Sequence, residues 1–594
     1  MGGFVVALAM LAAAAAAAPS PPGTLRIGVP LVPETLDPAL ADNAQAVAVM
    51  GGIYDTLYGL DPLAKVATLV PAAAAALPEV SPDARTVTVR VRPGIRFVPH
   101  PSFQGKLREL TAMDFAYAIR RTLDPRLHSP SQTMLAGKIE GLDELAKHAL
   151  ESGVKFDYDT PIAGLQTPDR YTLRLTLRRP DPMFVYLLAN PLLAGLAREA
   201  VEAEGAGYGH RPVGTGAFVV SSFTPGQRIA LVRNPDYRTV RWEDLLSPPS
   251  RAAHANHPMR GRVLPGAARV EFSQTPEAAS ELMALRVGEL DLIQASRPEL
   301  AMRNGKLRDD LAQAGLVVVP SALPVTLLAF LNMRDPVVGG TSQEKVALRR
   351  AIYMAFDDLE WIRVLDVGLS RVRQQVVPPG VEGHIDGYRN PNMFDPAAAN
   401  ALLDRVGYRR GGDGFRRNID GSPLTIGLLI DTKSRSRDQA EFAKRMLDRI
   451  GLRTSVEVTT AGELLKRLSN CHHTLAWMDW GLDIPDGTNP MMMFASSAIG
   501  AWNFSCFADA AFDEAYQKAL VIPPGPERAA AFRTMQTRID AYGAARPFPW
   551  GDLVLIKRRG VLGPFNTVTD WLQVVTLTLG SDQSAPAARL PARP

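Results

Sequence analysis

An α/β fold in at least two lobes is predicted by three features of this sequence. Its 594 residues exceed what a single hydrophobic core organises. Short segments alternate apolar and polar residues between turn formers, the pattern of half-buried strands. Longer stretches between them repeat apolar residues three and four apart, the pattern of helices, so strand and helix are mixed throughout. Hydrophobic residues make up 46% and charged residues 21%, which is globular composition and excludes a disordered chain.

Taken in order, the first element is a targeting segment. Phe4 to Ala18 is apolar, alanine-rich and too short to span a bilayer, and Pro19 to Gly23 follows it. Residues 1–18 are therefore expected to be a cleavable signal peptide, although no Lys or Arg precedes the apolar run. No later stretch has the apolar length of a membrane helix. Leu25, Ile27 and Val29 alternate before Pro30; Val87, Val89 and Val91 alternate before Pro93-Gly94; Tyr171, Leu173, Leu175 and Leu177 alternate before Arg178 to Pro180. Each set predicts a half-buried strand. Thr111 is placed to cap a helix with Phe115, Ala118, Ile119 and Leu123 on one face and Asp124-Pro125 at its end. A further helix from about Glu344 to Trp361 is expected to turn Val346, Ile352, Phe356 and Leu359 towards a core. Ser247 to Pro265, rich in Pro, Ser, Arg and His, reads as a loop, and Gly411 to Gly414 as a turn.

Charge and motif content narrow the function. Lys plus Arg total 65 against 61 acidic residues, a net charge of +4 with both signs interspersed, so nucleic acid is not expected as a partner. The serine-hydrolase elbow, the zinc-protease H-E-x-x-H and the phosphate-binding loop are all missing from the sequence, which argues against an enzyme. Gly214-Thr215-Gly216 precedes an alternating stretch rather than a helix, so its glycines are read as permitting a tight backbone approach. His472 and His473 are neighbours that point apart on an extended chain, so no metal is expected there. Cys471 and Cys506 are the only cysteines; neither follows the signal segment as a lipid anchor would require, and they are either a disulfide or two buried thiols.

Five segments, in order, resemble the oligopeptide- and dipeptide-binding proteins of ABC importers, the solute-binding protein family 5. They are Thr35-Leu36-Asp37-Pro38 with Ile53 to Leu57; Leu110 to Ala118; Arg211 to Phe218 followed by Asn234-Pro235-Asp236-Tyr237; Val346 to Asp357; and Trp480 to Asp486 followed by Asn503 and Phe512-Asp513. The resemblance implies a two-lobed periplasmic-binding-protein fold of the class II (cluster C) type, with an extra subdomain in the first lobe. By that resemblance residues 24–56, 205–322 and 546–580 form the first lobe, 57–204 the extra subdomain and 323–545 the second lobe. Arg241 to Arg262 has no counterpart in the family pattern and is expected to decorate the surface.

The same resemblance implies a periplasmic monomer without a cofactor that closes over a short peptide or related amine and delivers it to an ABC permease in the inner membrane. Asp483 matches the aspartate that pairs with a ligand's α-amino group; its other reading is a turn cap before Ile484-Pro485. Trp480 and Trp477 are the candidate pocket walls, with core packing as the alternative for both. Asp486 is read as a turn former, and Met491 to Met493 as core filler. Opines, nickel chelates, haem and glycans are the competing ligands on the same fold, and a secreted hydrolase is the competing function.

Overall fold

The computed structural model of the chain describes residues 23–580, apart from 276, 296, 304, 322–324, 483, 550–552 and 566–572. The expected signal peptide and Asp483 lie outside the described residues. Strand β1 (Thr24–Val29) and helix α1 (Ala44–Ile53) open the described chain. A four-stranded antiparallel sheet follows, from β2 (Glu79–Val80), β3 (Thr86–Arg90), β4 (Leu165–Asp169) and β5 (Thr172–Thr176), in the order β2-β3-β5-β4. Helix α2 (Ala112–Arg121) packs against β4 and β5; Thr111 and Asp114 form a capping box at its start, as the sequence predicts.

The chain then returns to β1. Strands β6 (Phe218–Thr224), β7 (Arg228–Arg233) and β8 (Arg269–Gln274), helix α3 (Ala278–Val287), β9 (Leu292–Gln294) and β10 (Leu316–Ser321) follow. The second lobe is built on β11 (Val325–Leu331), α4 (Gln343–Met354), α5 (Asp358–Leu365), β12 (Thr425–Asp431), α6 (Ser434–Arg449), β13 (Arg453–Thr459), β14 (Leu475–Gly481), α7 (Ala510–Val521), α8 (Pro526–Tyr542) and β15 (Ala545–Phe548). Strand β16 (Leu553–Arg558) rejoins the first sheet, whose order is β10-β16-β9-β1-β8-β7-β6; the second sheet runs β13-β12-β14-β11-β15. The chain therefore passes between the sheets twice, between Ser321 and Val325 and again between Phe548 and Leu553. The return expected at Arg546 falls inside β15, so the chain stays in the second sheet to Phe548.

Several local expectations change. Strand β1 has parallel neighbours on both sides, β8 and β9, and Leu25, Ile27 and Val29 are buried together with Thr24 and Gly28, so both of its faces are covered. The single helix expected over 344–361 is two helices: the Asp357 side chain accepts from Leu359 N and Glu360 N and starts α5. That restart changes the helical phase, and Leu359, expected in the core, is 72% exposed while Phe356 stays buried. Ser247 to Pro265 contains the helix Pro248–Ala253. The surrounding insertion is also anchored: Trp242 is buried and stacks on His257 at 5.0 Å, and the Ser247 hydroxyl donates to Asp61 at 2.5 Å.

The family-like motifs of the first lobe are joints between segments. Gly216 N–H donates to Ile53 O at 2.8 Å. A Cβ on Gly214 would lie 2.0 Å from Ile53 O, and one on Gly216 2.5 Å from Ile53 C, so only glycine lets this strand entry meet the end of α1. Asn234 Nδ2 donates to Gly216 O, tying the Asn-Pro-Asp-Tyr segment to the same joint. Asp55 accepts from Thr215 Oγ1 at 2.9 Å and from both terminal nitrogens of Arg238 at 2.7 and 2.8 Å. Asp37 takes a bidentate pair from Arg121 of α2 at 2.7 and 2.9 Å, with both side chains buried, which locks the extra sheet onto the first lobe.

Cys471 and Cys506 form a disulfide with Cα atoms 6.0 Å apart, resolving the two readings of this pair. Among the described residues no helix is long and apolar enough to cross a membrane, and no group of three His, Cys, Asp or Glu side chains is placed to hold a metal ion. His472 is exposed whereas His473 is buried, and burial pushes its imidazole down to about 3.

Candidate functional site

Strand β14 and the turn after it hold the candidate ligand residues. The pleat of a strand sends residues three apart to opposite faces, and this decides between the two tryptophans. Trp477 lies on the face of Leu475, where it is buried edge-on to Phe356 and Phe548, each at 6.1 Å. Trp477 thus leaves the ligand set and takes the core role, correcting its placement beside Trp480. Trp480 is half-buried on the opposite face; its Nε1–H donates to Asn489 Oδ1 at 2.6 Å, which fixes the ring. Trp502 meets it edge-to-face at 5.3 Å and remains 37% exposed. Two indoles with solvent-facing edges thus form one rigid apolar wall. The disulfide joins the residues preceding β14 to the loop that carries Trp502.

The turn after β14 is bound to a second loop, around Gly380 to Gly383. Glu382 N–H donates to Pro485 O at 3.1 Å and Gly487 N–H donates to Glu382 O at 2.8 Å. Asp486 is more than the turn former expected of it. Its Oδ1 accepts from Thr488 N–H at 3.0 Å, and both oxygens accept from Arg528 Nη2 at 2.9 and 2.7 Å, with both side chains buried. Burial holds the Asp486 carboxyl above the usual carboxylate range although the Arg528 charge pulls it down. Gly487 sits where a Cβ would come 2.7 Å from the Phe532 ring and 2.8 Å from Glu382 O, which accounts for a glycine at this step of the turn. Met491 and Met493 are buried in the adjoining core, as expected of fillers.

Both loops meet the first lobe. Ala67 N–H donates to Gly380 O at 3.3 Å, and Ile484 packs against the first-lobe core. Tyr186, from the segment expected as the extra subdomain, donates its hydroxyl to Ala67 O at 3.2 Å. Burial raises its phenol, and the negative charges of Glu382 and Asp486 raise it further.

Trp502, Asn489, Glu382 and Arg528 were not singled out from sequence. Trp502 adjoins Asn503, which the resemblance did mark. Arg528 carried a signal of its own: it stands four residues before Phe532 on the apolar stripe of α8, an arginine where the helix faces inward.

Comparison with known proteins agrees with this architecture. The sequence model of the bacterial extracellular solute-binding proteins, family 5 Middle, matches residues 68–502. The di/tripeptide-binding protein 2 of Pseudomonas aeruginosa is 25% identical over 532 residues, 87% of each chain. The heme-binding protein A of Haemophilus influenzae is 24% identical over 467 residues, 77% of this chain and 75% of that one. The solved structure of the ABC transporter-associated periplasmic binding protein DppA from Helicobacter pylori, in complex with peptide STSA, superimposes with a TM-score of 0.67 and 22% identity, covering 94% of this chain and 98% of that chain.

Proposed function

From the premise that this chain belongs to the bacterial extracellular solute-binding proteins, family 5, we propose that it captures short peptides or related amine-bearing solutes outside the cytoplasm and delivers them to an ABC permease. Residues 1–18 direct export, and a structural disulfide fits an oxidising compartment. Capture works by binding and closure of the two lobes, without chemistry.

The observation that carries this reading is the aromatic wall of Trp480 and Trp502 at the end of β14, where the chain enters the Leu482–Thr488 turn whose Ile484 packs against the first-lobe core. Asp483 belongs to that turn in sequence. A carboxylate there supplies the charge-assisted partner an α-ammonium needs, and the indoles supply apolar surface that tolerates varied side chains. Di/tripeptide-binding and peptide-complexed relatives support the ligand class.

Native mass spectrometry of the exported protein, with denaturing release of bound molecules, tests it. A heterogeneous set of short peptides is the expected result. One defined non-peptide mass, whether haem, opine, nickel chelate or glycan, would overturn the peptide assignment. Asp483→Ala is expected to weaken binding of the released peptides by about 2–5 kcal/mol, since a buried ammonium loses its partner. Turnover of those peptides, abolished by a single substitution, would replace the binding reading with a hydrolase.

A further inference from the structure

Helix α8 presents Ala531, Phe532, Met535 and Ile539 to the core of the second lobe, and Arg528 occupies the same inward stripe with 0% exposure. A guanidinium in an apolar stripe is costly unless its charge and its donors are met. Here Nε donates to Ala519 O at 2.9 Å and Nη2 donates to both oxygens of Asp486. Nη1 makes no hydrogen bond among the described residues and is met by charge alone, 3.4 Å from Glu382 Oε1, and the guanidinium carbon lies 5.1 Å from the centre of the Phe532 ring. The two carboxylates come from different loops, so one arginine links both. Around it the loops are also sewn together by Glu382 N–H to Pro485 O and Gly487 N–H to Glu382 O, and Phe532 fills the space under Gly383 and Gly487.

Both loops touch the first lobe, one through Gly380 O, which accepts from Ala67 N–H, and the other through Ile484, which packs against the first-lobe core. We propose that Arg528 is the positioning residue of the ligand-proximal turn: it clamps the Gly380–Gly383 and Ile484–Thr488 loops into one unit that seats against the Tyr186 face of the first lobe. This rests on the ligand role proposed for that turn. Two carboxylates share one guanidinium, so the unit keeps a net negative charge at the lobe boundary, the sign that suits a cationic ligand group. Lysine cannot replace the clamp, because a point ammonium does not span two carboxylates and a backbone carbonyl in one plane.

The test uses the exported full chain and two variants, Arg528→Lys and, because a buried substitution can prevent folding, Glu382→Gln at a partly exposed position. Hydrogen exchange is followed in both loops and in strands β12 and β14. In parallel, a pancreatic digest of casein is titrated while tryptophan fluorescence is read. For Arg528→Lys, exchange in both loops is expected to rise about tenfold with β12 and β14 unchanged, and half-saturation to need about tenfold more digest. Glu382→Gln is expected to move both readouts the same way by a smaller factor. Loops as protected as in the wild type, or loosened loops with unchanged half-saturation, would overturn the clamp. Asp483→Ala is run alongside: unchanged digest binding in that variant refutes the amine anchor while leaving the exchange result to decide the clamp. A wild type that ignores the digest refutes the peptide reading, and loop exchange again decides the clamp.

Discussion

Removing the Cys471–Cys506 bridge should weaken the second lobe by an amount that follows from the loop it closes. The cysteines are 35 residues apart, and closing a loop of that length removes roughly 13 cal/mol/K from the unfolded chain, about 4 kcal/mol at 25 °C. The native geometry around the bridge has independent supports: Asn332 Nδ2 donates to both Cys471 O and His473 O at 2.8 Å, and Met333 N–H donates to Ser505 O at 2.8 Å. Reduction should therefore act mainly on the unfolded chain, leaving the lobe folded but less stable. Both cysteines also hold left-handed backbone, with φ of +59° at Cys471 and +52° at Cys506, a conformation costing about 1–2 kcal/mol per residue for any side chain beyond glycine. Paired Cys→Ala substitutions keep that cost and lose the crosslink. Paired Cys→Gly substitutions lose the crosslink but relieve both positions, about 2–4 kcal/mol together, less roughly 1–2 kcal/mol for the greater freedom of two glycines in the unfolded chain, and so should recover about 1–2 kcal/mol of the deficit. Urea unfolding read by tryptophan fluorescence compares midpoints, since a two-lobed chain need not unfold in one step. Coincident midpoints for the oxidised protein and the alanine pair would refute the loop-closure reasoning. Coincident midpoints for the alanine and glycine pairs would refute the account of the backbone.

The remaining expectations concern buried charge and close approach. Asp540 accepts from Tyr388, Asn390 and Gln536 inside the second lobe, and burial pushes its carboxyl up to about 7. The fold thus favours the protonated acid. Its contribution is complete below the unfolded value near 3.9 and is lost as pH rises to about 7, at about 1.4 kcal/mol per pH unit. Asp540→Asn should therefore be more stable than the wild type at pH 8, with the advantage shrinking at pH 5, as urea midpoints at both values would register. Gly216→Ala places a methyl 2.5 Å from Ile53 C and should cost about 3 kcal/mol or more, whereas Gly412→Ala meets nothing within 4 Å and should be close to neutral in the same thermal scan. Asp37→Ala leaves Arg121 buried without its partner and should cost about 3–5 kcal/mol; the double variant Asp37→Ala/Arg121→Met should be less damaged than the single one if the charge is the cause.

Strand and helix patterns were legible where one periodicity ruled a segment. The α2 cap at Thr111 and the alternation of β3 and β5 follow directly from spacing. Leu359 was misplaced because the 3.6-residue pattern runs on in sequence through Ala355 to Asp357, where the Asp357 side chain ends one helix and begins another. Trp477 and Trp480 are both indoles on one strand, each readable as pocket wall or as core, with the core reading the stronger for Trp477; the structure puts Leu475 and Trp477 in the core with Phe548. The insertion after Arg241 read as loop because its outside anchors, Asp61 and the Leu63, Leu562 and Val575 side chains packed against the cluster of Trp242, are distant in sequence. Arg528 went unread for the same reason: both of its acidic partners are supplied by loops outside its helix.

What the family-like motifs encode is the frame rather than the ligand. Asp37, Asp55, Thr215, Gly216 and Asn234 are engaged in joints between segments, each requiring a particular donor, acceptor or lack of a Cβ. Such requirements are chemically narrow and leave short, recognisable strings. The wall of Trp480 and Trp502 imposes no comparable string, since an indole serves a pocket and a core equally well, as Trp477 demonstrates on the same strand. On the proposed reading, ligand class is set by few positions around the β14 turn, and the Arg528 clamp proposed beneath them sets where those positions stand when the lobes meet. Relatives of this chain at similar identity are named for di/tripeptides and for heme, so likeness along the chain does not by itself choose the ligand.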